Sequence, residues 1–138
     1  MGYMMNIGAE QLQSGATAWA SSAIRARLIT TAASAPDKDA DVMTGIGSSD
    51  AAASVSVTGR VAPARSDTRD RVEYTSSNLA FLAVPSTVGA CNRVMFYRFV
   101  TNDADSIPIC CADITGVTPN NGDIGVTMPT NGWFYTQQ

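Results

Sequence analysis

The chain contains no histidine, and Lys38 is its one lysine among 138 residues. Without imidazole there is no Ser/His or Cys/His nucleophile pair, no ordinary general base near neutral pH and no mixed zinc site of the usual kind. Lys38 stands between Asp37 and Asp39 and reads as a solvated charge. No GxGxxG or Walker-type loop occurs, because Gly45-Ile46-Gly47 has neither the remaining spacing nor a strand-to-helix context. Charge itself is scarce, at 15% of residues against a globular average of about 25%. Ala, Ser, Thr, Gly and Asn take its place; they cost little to dehydrate, so the composition favours extensive contact with other proteins.

Long apolar runs are missing too. The most apolar stretches reach only about ten residues, and Arg93 and Arg98 punctuate one of them, so no bilayer-spanning helix and no membrane partner are expected. Met1 to Leu12 has neither the basic start nor the apolar run of a signal peptide. A net charge of -3 gives no general attraction to nucleic acid. Arg60, Arg65, Arg69 and Arg71 do cluster, with Asp67 and Asp70 between them. Lacking interleaved aromatics, they read as a solvated loop or a protein salt-bridge surface before a nucleic-acid stripe. Asp37, Asp39, Asp41 and Asp50 lack the glycine and terminal glutamate of a calcium loop, and Asp103 with Asp105 reads as a turn former. The expectation is a protein that is not an enzyme, with no cofactor, no metal and no small-molecule substrate.

Cys91, Cys110 and Cys111 leave an odd thiol whatever pairs. Cys110 and Cys111 point to opposite faces if they lie in a strand, which disfavours a bridge between them. A bridge from Cys91 to either remains open, while reduced, half-buried thiols fit a cytoplasmic origin better.

What the chain does have is a series of short alternating segments. Residues 1–23 read as an N-terminal arm or a short helix, since Glu10 to Gln13 favour helix over Ala9 to Ala23 and Gly15 weakens it. Ile24 to Thr31 is the first strand, with Leu28 in the core and Arg25 and Arg27 turned to solvent or a partner. Residues 32–54 form a long polar excursion opened by the turn at Ala35-Pro36-Asp37. Strands follow at Ser54 to Val61, Arg71 to Thr75, Leu79 to Val84, Asn92 to Thr101 and Ile107 to Ile114, then around Ile124 to Met128 and Gly132 to Thr136. This spacing predicts an all-β domain over 24–138, a β-sandwich or flattened barrel. Asn92 to Thr101 and Ile107 to Ile114, joined through Asn102 to Ser106, make the best hairpin. Large apolar groups on both faces of the first of these place it either centrally, between a core and another covering surface, or at a subunit contact.

The segment Ile24-Arg25-Ala26-Arg27-Leu28-Ile29-Thr30-Thr31, the turn Ala35-Pro36-Asp37-Lys38-Asp39-Ala40-Asp41 and the loop Val42-Met43-Thr44-Gly45-Ile46-Gly47 resemble a pattern in small structural proteins of tailed bacteriophages. Asp70-Arg71-Val72-Glu73-Tyr74, Asn78-Leu79-Ala80-Phe81, Val94-Met95-Phe96-Tyr97, Gly122-Asp123-Ile124 and Gly132-Trp133-Phe134 keep the same order. The family is that of capsid decoration, or cement, proteins, nearest to those of short-tailed phages with an HK97-like shell. The resemblance implies a jelly-roll-like fold that clamps the major capsid protein on the outer capsid surface of the virion, after synthesis in the bacterial host cytoplasm. Ala51 to Ser54 and Ala62-Pro63-Ala64 depart from the pattern, where a regular strand is usual. On this reading Trp19, the 32–54 excursion and Arg60, Arg65, Arg69 and Arg71 face the shell. Met95, Tyr97 and Phe99, or Trp133 to Tyr135, are candidates for a homodimer contact, with core packing as their alternative. A receptor- or carbohydrate-binding knob of a fibre or tail, or a tail or head-completion component, is the other function compatible with the pattern.

Overall fold

The computed structural model describes residues 2–32, 35–46 and 54–137. They form antiparallel sheets with one short helix, an all-β architecture, and the strands do not close into a barrel. The elements run β1 (Tyr3–Met4), α1 (Asn6–Ser14), β2 (Ile24–Thr30), β3 (Val55–Ser56), β4 (Ala64–Ser66), β5 (Arg71–Tyr74), β6 (Leu79–Phe81), β7 (Cys91–Arg98), β8 (Ile107–Val117), β9 (Ile124–Val126) and β10 (Phe134–Gln137). Five strands build the main sheet in the order β1-β8-β7-β2-β3; β10-β5-β4 and β6-β9 are two smaller sheets.

The predicted hairpin is the centre of the main sheet. β7 pairs antiparallel with β8, and Asn102 closes the connection: its carbonyl accepts the Ser106 N–H at 3.0 Å while its side-chain oxygen accepts the Ala104 N–H at 2.8 Å. Pro108 sits near the start of β8, beside the register shift at Phe96/Tyr97, where its missing N–H disturbs the ladder least. β6 stops at Phe81, short of the expected Val84, because Ala83 takes a left-handed backbone (φ +48°) with its N–H donated to the Asp123 carboxylate.

Alternation along β2 and β7 sends side chains into two separate apolar clusters. Ile24, Ala26, Leu28, Val94 and Phe96 join the main core, filled from the opposite side by Tyr74, Leu79, Phe81, Val126 and Phe134. Ile29, Met95, Tyr97 and Cys111 form the second, covered by Met5, Met43 and Ile46. The part of the excursion that is described, residues 35–46, therefore lies across the back of the sheet. Tyr3 Oη donates to the Pro36 carbonyl at 2.7 Å, Asn6 N–H to Lys38, and Met43 N–H to the Ser106 carbonyl at 2.9 Å. Each large side chain buried this way is worth about 2 kcal/mol, which is why β7 tolerates bulk on both faces. The remainder of the excursion, including Asp50, lies outside the described residues.

Residues 2–23 pack on the sheets, and the short helix expected among them is α1. β1 extends the main sheet, with Tyr3 opposite Cys111 and Met4 opposite Cys110. α1 begins earlier than Ala9 and ends at Gly15, whose φ of +77° closes it. Gly8 lets the helix approach β8: a Cβ there would lie 2.4 Å from the Ile109 carbonyl oxygen. Cys110 and Cys111 face opposite sides of β8, as alternation requires, and all three thiols are free and fully buried.

Two outcomes follow. Trp19→Ala is expected to cost about 4 kcal/mol, because Trp19 is 1% exposed and joins the main core; denaturant unfolding measures the loss. Burial pushes the Cys111 thiol up to about 11 and Cys110 well above its ordinary value. The native chain should thus resist a thiol-specific reagent at neutral pH and expose all three cysteines on unfolding; stoichiometric labelling of Cys110 in the native state would contradict this.

Candidate functional site

Two surface features stand out above this scaffold: an exposed basic hairpin and a groove beside the sheets. The hairpin is β4 and β5, paired from Ala64 opposite Glu73 to Ser66 opposite Arg71. Its turn closes through the Arg69 N–H to the Ser66 carbonyl and the left-handed Asp70 (φ +50°). From Val61 to Asp70 every residue is exposed except half-buried Ser66. Among the described residues nothing packs on this stretch as a core would, so its side chains are offered outward.

The four clustered arginines do four different things. Arg60 turns inward: its Nε donates to the Val57 carbonyl at 2.8 Å, its Nη1 donates to the Trp19 carbonyl, and burial lowers its pKa. Arg65 pairs with Asp67, both well exposed. Arg69 Nη1 reaches Glu73 Oε1 at 2.9 Å, and Arg71 Nε donates to the same oxygen at 3.0 Å. These hydrogen bonds, Arg69's foremost, hold the Glu73 carboxyl below its ordinary range. Arg71 is half-buried and lies over the Tyr135 ring, 4.2 Å from its centroid. The outward charge of the cluster therefore comes from Arg65 and Arg69.

The back of the main sheet holds the other residues expected at a contact. Arg27 is buried and forms a two-pronged pair with Asp103, Nη1 to Oδ2 at 3.0 Å and Nη2 to Oδ1 at 2.9 Å. This corrects its assignment to solvent or a partner: the carboxylate comes from the β7–β8 turn of the same chain. Arg25 stacks on Phe99, its guanidinium carbon 3.6 Å from the ring centroid. Met95 and Tyr97 are 0% and 1% exposed beneath the 35–46 segment, so they supply core, not a contact between copies. Trp19, expected to face a shell, is likewise internal; its Nε1 donates to the Thr75 carbonyl at 2.8 Å. Its ring meets those of Tyr74, Phe96 and Phe134 edge-on. Of the sequence-derived set, Arg65 and Arg69 remain outward, Arg25, Arg71 and Phe99 are half-buried, and Arg60 is a brace.

The groove went unforeseen. Two adjoining clefts of about 600 and 400 Å³ share Asp113, Pro129 and Trp133. The larger lies between β1 and α1 on one side and β10 on the other; the smaller continues between β8 and β9. No local signal in the sequence brings these edges together. Trp133 itself is buried and donates to Ser76 Oγ at 2.7 Å. Among the described residues no group of three or more Cys, Asp and Glu converges to hold a metal ion.

No protein-family model, curated protein or solved structure matches the chain. The functional reading therefore rests on the residues themselves.

The Arg27–Asp103 pair carries a pH consequence. Arg27's hydrogen bonds hold the folded Asp103 carboxyl below its ordinary value, which is about 3.9 when the chain is unfolded. Its contribution to stability is then fully present above about pH 4 and is lost as pH falls through the folded value. Asp103→Asn should lower stability at neutral pH by about 1 to 3 kcal/mol and flatten the acid limb of the stability curve. Unfolding titrations of the two proteins from neutral to acid pH test this; superimposable acid limbs would refute it.

Proposed function

We propose that this protein is a structural component of a virion that binds the outer surface of an icosahedral phage capsid, bridges major capsid subunits and stabilises the shell. The observation that carries the reading is the hairpin at 61–74. From 61 to 70 it is a long exposed stretch with two outward arginines, Arg65 and Arg69, and an exposed apolar residue, Val61. Arginine with apolar neighbours is the composition of a protein contact surface. The strand-and-turn order shared with capsid decoration proteins supplies the partner, and the low overall charge agrees with a chain that works against other proteins. As part of the same reading, the sheets make a jelly-roll-like sandwich, and the protein acts as a homodimer. With Met95 and Tyr97 internal, exposed Leu82 and Val100 are the apolar groups left for a contact between copies.

The mechanism is linkage. A protein that binds only the assembled shell lowers the free energy of that state by the sum of its contacts, and a small gain per copy accumulates over many copies. Polar, solvent-facing side chains suit this task because the free protein stays dissolved until the shell presents its complement.

Sedimentation of the protein with matching empty shells tests the reading. Wild-type protein should co-sediment and raise the temperature at which shells disrupt. The double variant Arg65→Ala/Arg69→Ala should bind at least about tenfold more weakly, about 1.4 kcal/mol, with its own unfolding midpoint little changed because Arg71 still pairs with Glu73 and surface ion pairs contribute little. Wild-type protein that fails to bind any matching shell would sink the proposal.

A further inference from the structure

Asparagine followed by glycine occurs twice in the chain, at Asn121-Gly122 and Asn131-Gly132. In such a pair the backbone nitrogen of the second residue can attack the side-chain amide of the first, and glycine, with no Cβ, shields that nitrogen least. The dipeptide is the same at both places; the fold holds its two copies differently.

Asn121 is locked. Its backbone is left-handed (φ +70°), its N–H donates to the Val84 carbonyl at 2.9 Å, and its Oδ1 accepts the Ser86 N–H at 3.0 Å. The Gly122 N–H, on the attacking nitrogen, donates to Asn120 Oδ1 at 3.1 Å, and the Gly122 carbonyl accepts the Val84 N–H at 2.9 Å. Attack would break several of these bonds together, because the side chain and the peptide unit it must meet are each fastened to a different neighbour.

Asn131 is held less. It is exposed, and among the described residues its side chain takes part in no hydrogen bond. The Gly132 N–H donates to the Pro129 carbonyl at 2.9 Å, closing a turn in which Pro129 and Thr130 are exposed as well. A solvent-facing turn of this kind opens locally at small cost. Gly132, in contrast, is buried and fixed: its φ is +80°, and a Cβ would stand 2.6 Å from the Tyr74 carbonyl oxygen. The packing thus demands glycine after Asn131, and that demand sets an unshielded nucleophile beside an exposed amide.

We propose that Asn131 is a self-modification site, which deamidates in the folded chain while Asn121 is spared. The Gly132 nitrogen gives its proton to solvent base and bonds to Asn131 Cγ. The Cγ–Nδ2 bond then breaks, and the departing nitrogen takes up a proton from solvent and leaves as ammonia. Water opens the resulting succinimide at either carbonyl, giving aspartate or, where the main chain now runs through Cγ, isoaspartate. Nothing is oxidised or reduced, and no partner but water is needed. Isoaspartate adds a methylene to the main chain at the entry to β10. Just beyond it Trp133 is anchored by its N–H to the Tyr74 carbonyl at 2.9 Å, by its Nε1–H to Ser76 Oγ at 2.7 Å and by its ring against Phe96. The lengthened chain loosens that anchorage, so the reaction is a slow clock on the closure of the core.

Incubation of the full chain at neutral and mildly alkaline pH, followed by peptide mapping in a mass spectrometer, is the test. In the folded chain Asn131 should convert at least about tenfold faster than Asn121, the difference expected from the additional hydrogen bonds on Asn121 and Gly122. In concentrated urea the two should convert at similar rates, because only the fold tells them apart. Ser86→Pro removes the N–H that holds Asn121 Oδ1, at the first residue of a short 3-10 helix where proline is tolerated. It should speed conversion of Asn121 and leave the Asn131 rate unchanged; Asn120→Ala, which removes the acceptor of the Gly122 N–H, is the independent second variant. The purified isoaspartate form should unfold at a lower temperature than Asn131→Asp, which carries the same charge on a chain of ordinary length. The proposal is overturned if Asn121 converts as fast as Asn131 in the folded chain, or if Asn131 converts in urea alone. It is equally overturned if neither variant speeds Asn121. An isoaspartate form as stable as Asn131→Asp would overturn the clock.

Discussion

The fold depends on one aromatic contact set. Trp19, contributed by a segment that precedes every long strand, meets Tyr74 from the small sheet, Phe96 from the centre of the large sheet and Phe134 from β10. Tyr74 and Phe134 in turn stack at 4.5 Å across the β5–β10 pair. Edge-to-face and offset geometries of this kind add specificity to the area they bury. Two separate sheets and the N-terminal segment are thereby referred to a single point. Arg60 reinforces it, donating to the carbonyls of Trp19 and Val57 and so tying the chain before the basic hairpin to the core.

A second constraint acts on the other side of the large sheet. A sheet with a single packed face would leave Met95, Tyr97 and Ile29 in water; the 35–46 segment and the start of α1 cover them. The cover is pinned at both ends by hydrogen bonds, to the Tyr3 hydroxyl and the Asn6 N–H at one and to the β7–β8 turn at the other. Both faces of the large sheet are thus spent on the chain's own packing, while the outlying hairpin is exposed from 61 to 70 apart from half-buried Ser66.

Much of this architecture was legible because it is local. Alternation located β2, β7 and β8 within a few residues, and the polar run at Asn102 to Ser106 identified the central hairpin. The alternation at Cys110 and Cys111 placed the two thiols on opposite faces. The positions of Trp19, Met95 and Tyr97 were not legible, since a large apolar residue in a short strand reads equally well as core or contact until its cover is known. That cover is a polar-looking segment whose Met43 and Ile46 show no periodicity of their own. The arginines were misleading for a related reason: Arg27 is matched by Asp103, 76 positions away, a pairing that no window of sequence contains. The groove is legible nowhere in the chain, because it is the space between the ends of two sheets.

The buried Arg27 has a consequence for how the strands choose their alignment. Where one face of a strand is apolar and the other polar, a slip by one residue is punished at every position, and register looks after itself. β2 and β7 lack that safeguard, for both of their faces are greasy, and Ile29 or Met95 would be nearly as content in the main core. A slip of one residue along β2, however, would drive the guanidinium of Arg27 in among Leu28's neighbours, away from the Asp103 carboxylate that receives it. The charge acts as a key cut to a single lock, letting a strand of two hydrophobic faces have one permitted way round.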